Sequence, residues 1–177
     1  RTAPRAESFD KEKVQATKQI ILDEFHSHRD SLRAVMLLGR IAVPYSGDYA
    51  IDGHSPDHQG AWPADVFYAD IDGVWTDSSV SSVMSDYPRQ HNLPGDGKFD
   101  NSYIPSDTDL EIGRVDFFNL PYFEDSEIEL LRAYLDKNHK FRQKINAFEQ
   151  NAIIDDKFLM YGSEAFASTA WSNYSAL

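Results

Sequence analysis

The feature that most restricts the fold is Ala34-Val35-Met36-Leu37-Leu38, an apolar run without interruption that closes on Gly39. A run this short and this continuous predicts a strand covered on both faces, as in a parallel sheet. Ile41-Ala42-Val43 is expected to extend it, and Pro44 to stop it. Leu110-Glu111-Ile112-Gly113-Arg114-Val115 reads as a second strand and Ala152-Ile153-Ile154 as a third, closed by Asp155-Asp156.

Helical patterns lie between these runs. Val14, Thr17, Ile21 and Phe25 recur at spacings of three and four, with Lys and Glu between them, which predicts a helix from Asp10 to about Arg29. Residues 1–9 are a polar lead carrying Pro4. Ser126 to Glu129 reads S-x-x-E, a capping box. The helix it opens carries Ile128, Leu131 and Leu135 on one face, has Tyr134, Phe141 and Ile145 nearby, and is expected to end near Phe148. A short helix is expected from Ser163 to Ala170. This order predicts an α/β fold, a mainly parallel sheet flanked by helices, as one domain or subdomain over residues 1–177. Because it opens on Arg1 and not Met, the chain reads as a fragment or processed part of a larger protein.

Residues 44–109 differ in character. They are rich in Gly, Pro, Asp and Ser, yet Trp62, Phe67, Tyr68 and Trp75 are too many aromatics for a disordered linker. A loop this long inside a compact domain is usually functional. Asp70-Ile71-Asp72-Gly73 and the following Asp77 resemble the opening of a calcium loop, and Asp96 and Asp100 form a second acidic turn. Calcium is a hard cation taking six to eight oxygens, so Asp70, Asp72, Asp77, Asp96 and Asp100 are the expected metal ligands. The full EF-hand pattern is absent, and Asp and Gly also favour turns with no ion bound.

Charge and composition narrow the partners. Against 17 basic side chains stand 29 acidic ones, a net charge of −12. That field repels phosphate backbones and anionic lipid, and it favours divalent cations and basic partners. No apolar run approaches the ~20 residues of a membrane span. With no cysteine in the chain, disulfides, thiolate metal sites and a cysteine nucleophile are excluded within it.

Other candidates are weaker. His54 and His58 have the spacing of two helical zinc ligands, but Gly53 and Pro56 oppose a helix there, so a solvated turn is expected. Ser46 lacks the G-x-S-x-G frame of an elbow nucleophile. Arg114 is expected in a structural ion pair with Asp116 or a loop carboxylate. Asp155-Asp156, at the carboxyl end of a predicted strand, could orient a histidine, cap a helix or bind calcium. Asn173-Tyr174-Ser175 matches a short glycosylation motif.

Four segments together resemble the gingipain-like cysteine peptidases, which have a caspase-type α/β fold. Val35-Met36-Leu37-Leu38-Gly39 is similar to that family's first buried strand and its "LLVGD" ending. Pro63-Ala64-Asp65-Val66-Phe67-Tyr68-Ala69-Asp70-Ile71-Asp72-Gly73 resembles its "ptDxyYgdlDG" stretch, and Glu111-Ile112-Gly113-Arg114-Val115 its "xxVGRi" strand. The helix with Leu130, Leu131 and Tyr134 resembles the one before the next strand. Gly113 to Phe123 is also similar to a "GRVDxxNLPxF" run in large uncharacterised bacterial proteins. The resemblance runs from about residue 30 to 160. In the family the catalytic histidine and cysteine follow this region, so neither falls on a position here. An acidic residue after the third strand assists the histidine in some members, which implies Asp155, Asp156 or Glu164. The resemblance implies a non-catalytic N-terminal portion of a peptidase-related protein, with calcium-stabilised loops and a missing catalytic half as partner. The alternative is a calcium-binding extracellular module that binds a protein or peptide and has no enzymatic activity. Either reading places the protein outside the cell or on its surface.

Overall fold

The computed structural model describes residues 1–145. The chain divides into two compact units, Arg1–Leu135 and Asp136–Leu177. The predicted strand at Ala152–Ile154, the acids Asp155, Asp156 and Glu164, the helix at 163–170 and the Asn173 motif lie outside the described residues.

In the first unit, helix α1 spans Lys11–Ser27. Its start is fixed by Asp10, whose carboxylate accepts the Lys13 N–H at 3.0 Å, so one of the orphan donors of the first turn is satisfied. Val14, Thr17, Ile21 and Phe25 are all buried, as their spacing requires, and Lys18 is buried with them. The Lys18 ammonium donates to Phe67 O at 2.6 Å and Asp70 O at 2.7 Å. Those carbonyls end the short helix α2, Val66–Ala69, so a lysine on one helix satisfies the open end of another. Burial pulls the Lys18 pKa down to about 8, with Asp70 and Asp109 opposing it.

Strands β1 (Ala34–Leu38) and β4 (Glu111–Val115) pair in parallel, with Val35 opposite Ile112 and Leu37 opposite Arg114. The described part of the fold is therefore mixed α/β with a two-stranded parallel sheet. Leu37 is buried and Val35 and Ile112 pack on the core, whereas Met36 is 51% exposed and Leu38 40%. Cover on both faces of β1 is thus not found: the side chains alternate in and out. Nor does β1 continue through Ile41–Val43. Gly39, at φ +82°, turns the chain, and Ile41 forms an isolated antiparallel bridge with Arg5 instead. The polar lead is correspondingly tied down. Ala6 is buried, and the Arg5 guanidinium grips the Glu127 carboxylate with bonds of 3.0 and 2.9 Å.

Residues 44–109 are irregular, as expected. Their regular structure is the two-residue antiparallel pair β2 (Tyr45–Ser46) and β3 (Trp62–Pro63), α2, and a 3-10 turn at Pro88–Gln90. An aromatic nucleus underlies them. Phe67 and Phe99 stack at 4.4 Å, and Trp75 meets each edge-on at 5.5 Å. Such pairs contribute about 0.5–1.5 kcal/mol beyond the area they bury.

The capping box forms: Ser126 N–H donates to the Glu129 carboxylate at 2.9 Å, and Glu129 N–H to Ser126 Oγ at 3.4 Å. Helix α3, Glu127–Arg142, follows. It stops six residues short of Phe148, where Lys144 takes φ +54°. Its apolar face also differs from expectation. Ile128 is 62% exposed and Leu135 39%, while Leu130, Leu131 and Tyr134 are half-buried, Tyr134 beside Phe117. Among the described residues no helix is long and apolar enough to cross a membrane.

Candidate functional site

Arg114 lies on β4, opposite Leu37 of β1, and reaches back to the start of α2. Its Nε donates to Asp65 Oδ2 at 2.7 Å and its Nη2 to Asp65 Oδ1 at 2.8 Å, a two-pronged pair. The remaining donors meet Ile41 O at 2.7 Å and Ala42 O at 3.1 Å. Ala42 O also accepts the buried Tyr68 hydroxyl at 2.8 Å. Burial disfavours the guanidinium charge, but the Asp65 bonds outweigh it and its pKa rises above the ordinary value. Of the two partners considered for Arg114, the loop carboxylate is the one found. Asp116 instead pairs with Arg40 at 2.9 Å.

Among the described residues, no three of the five expected calcium ligands bring carboxylate oxygens within 4.8 Å of one another. Asp70 is fully buried, and its carboxylate accepts Gly73 N–H at 2.8 Å, Trp75 Nε1–H at 3.0 Å and the Ser106 hydroxyl. The D-x-D-G motif is here a turn closed on its first Asp. A Cβ on Gly73 would stand 2.0 Å from Asp70 Oδ2, so any other residue would have to displace the Asp70 carboxylate. Asp77 accepts Gly95 N–H at 2.7 Å and Gly97 N–H at 2.8 Å. Asp96 accepts Lys98 N–H at 2.8 Å and Leu93 N–H at 3.1 Å. Asp100 gathers the N–H groups of Ser78, Ser79 and Val80. Burial pushes the Asp100 pKa up, but these bonds overcome it and hold the carboxyl well below the usual range. Asp72 is exposed and has no partner among the described residues. Carboxylate-to-amide bonds therefore staple together a segment with little secondary structure of its own.

Among the described residues, the one group of three potential metal ligands within 4.8 Å of one another is Asp52, His54 and His58. The expected turn is present and no helix forms. Yet His58 N–H donates to His54 O at 2.8 Å, a single closed turn that reproduces the nearness of residues four apart on a helix. Asp52 Oδ2 lies 3.2 Å from His54 Nδ1 and 2.5 Å from His58 Nδ1. The His58 contact holds the Asp52 pKa down at about 2. Close by is an apolar hollow of about 180 Å³ with Tyr49, Ile51, Trp62, Trp75 and Tyr103 in its wall. Ser46, beside it, donates its hydroxyl to Asn101 O.

Comparison with protein-family models, with curated proteins and with solved structures finds no match to this chain.

Proposed function

We propose that this chain is the non-catalytic N-terminal portion of a gingipain-like, peptidase-related protein. It would supply the sheet edge and the stapled loop against which a catalytic half, with its own cysteine and histidine, assembles outside the cell. The observation that supports this reading is the Asp65–Arg114 pair. Asp65 and Tyr68 give one sequence segment its likeness to the family and Arg114 another; Arg114 bonds Asp65, and Arg114 and Tyr68 share Ala42 O. The likeness thus falls on residues that meet in space. A cysteine nucleophile needs a histidine to activate it, and this chain contains no cysteine, so thiol-based cleavage would require a cysteine from outside it. The test is to express the natural reading frame that carries this chain, and the 177-residue chain alone, and assay both on unstructured peptide substrates.

Calcium belongs to the same proposal. Asp72 has free carboxylate oxygens, and Asp77, Asp96 and Asp100 keep lone pairs beyond those used by backbone N–H groups. An ion bound to the native state alone raises the melting temperature by mass action. Calcium should raise it, and Asp72→Asn should remove that rise. An unchanged melting temperature after exhaustive chelation takes calcium out of the reading.

The second reading, a non-enzymatic module that binds a protein or peptide, is favoured by the aromatic hollow. Tyr103 is 79% exposed and Ile51 71% at its rim, more apolar surface than a solvated loop needs. A reading frame that yields no peptidase activity but captures a peptide through Tyr103 would select it.

A further inference from the structure

We propose that Asp52, His54 and His58 form a binding site for a late first-row transition-metal dication, zinc(II) being the reference ion. The inference is independent of the peptidase reading. It rests on three ligand atoms of mixed type already in chelating range. Zinc bonds of ~2.0–2.1 Å to nitrogen and oxygen in a tetrahedron place ligand atoms roughly 3.3 Å apart. Asp52 Oδ2 stands 3.2 Å from His54 Nδ1 and 2.5 Å from His58 Nδ1, so a small opening of the His58 contact admits the ion. Two imidazoles select zinc, copper or nickel over calcium and magnesium, which take oxygen. Three protein ligands leave a position for water or an incoming group, as in open zinc sites.

The surroundings organise the ligands. Asp52 Oδ1 accepts His54 N–H at 3.2 Å, which fixes the carboxylate and turns Oδ2 toward the two rings. His58 is half-buried: its ring lies 6.1 Å from that of Trp62 and 5.8 Å from that of Tyr87. Trp62 Nε1 donates to His58 O at 3.0 Å, tying the turn to β3. One carboxylate oxygen, Asp52 Oδ2, faces both imidazoles at once. The net charge of −12 adds a long-range field that favours a cation.

The experiment titrates zinc chloride into the intact 177-residue chain by calorimetry in a non-chelating buffer. One ion per chain is expected, released by EDTA. His54→Gln and His58→Gln should each weaken binding roughly tenfold or more, since even loss of an outer contact to a metal ligand costs 10–100-fold. His28→Gln, a histidine outside the cluster, should leave the affinity unchanged. Copper(II) should quench Trp62 fluorescence, and His58→Gln should abolish the part of the quenching that Trp62→Phe removes. Should His58→Gln fail to fold, His54→Gln carries the test, because its side chain is 64% exposed. No zinc binding, wild-type affinity in His54→Gln, or an equal loss in His28→Gln overturns the proposal.

Discussion

Arg114 on β4 and Asp65 at the head of α2 are 49 residues apart in the chain and joined by two parallel hydrogen bonds, of 2.7 and 2.8 Å. The pair fastens the irregular loop to the parallel sheet. Both side chains are less than a third exposed. Removing one partner of a buried pair costs about 3–5 kcal/mol, and partial solvent access puts Arg114→Ala near the lower end. Arg114→Lys should recover little, because an ammonium cannot make the fork or reach Ile41 O and Ala42 O together. Chemical denaturation of Asp65→Ala, Arg114→Ala and the double variant should give a coupling of about 1–3 kcal/mol. Additive effects would mean the pair is not a joint.

Lys18 should make stability depend on alkaline pH. Its pKa is near 8 in the folded chain, against 10.5 when free. Between those values the unfolded chain holds the proton that the folded chain has released. The unfolded state then binds more protons, so the Lys18 contribution rises with pH from about 8 to 10.5 and is absent below about 8. Lys18→Met should flatten the pH profile of the unfolding free energy in that window. A slope that persists in the variant would assign the effect to another group.

Asp100 should act at the opposite end of the scale. Its folded pKa lies below the ordinary value, so its stabilisation is present above about pH 4 and fades as pH falls further. Asp100→Ala would leave the N–H groups of Ser78, Ser79 and Val80 without their acceptor. A loss of about 1–3 kcal/mol at neutral pH is expected, shrinking in acid. Equal destabilisation at pH 7 and pH 3 would contradict the role given to this carboxylate.

These contacts mark how far the sequence could be read. Local patterns were legible: the stripe of Val14, Thr17, Ile21 and Phe25, the capping box at Ser126, and the run that pairs Val35 with Ile112. Each is written in spacing along one element. Lys18 was not legible, since its acceptors, Phe67 O and Asp70 O, are 49 and 52 residues away and lie on no periodic pattern. The continuous apolar run of β1 overstated its burial, because composition does not say which faces a neighbour covers. The loop acids were recognised as a group, but their backbone partners were not, since amide donors carry no sequence signature. His54 and His58 were set aside for want of a helix; one closed turn brings them together without it.

The measurement that bears most directly on the central claim is peptidase activity of the natural reading frame compared with the 177-residue chain alone. The longer product should cleave peptides, a thiol-alkylating reagent should stop it, Arg114→Ala should lower its activity by destabilising it, and the short chain should be inert. Cleavage by the short chain, or a longer product with no thiol-dependent activity, would contradict that claim.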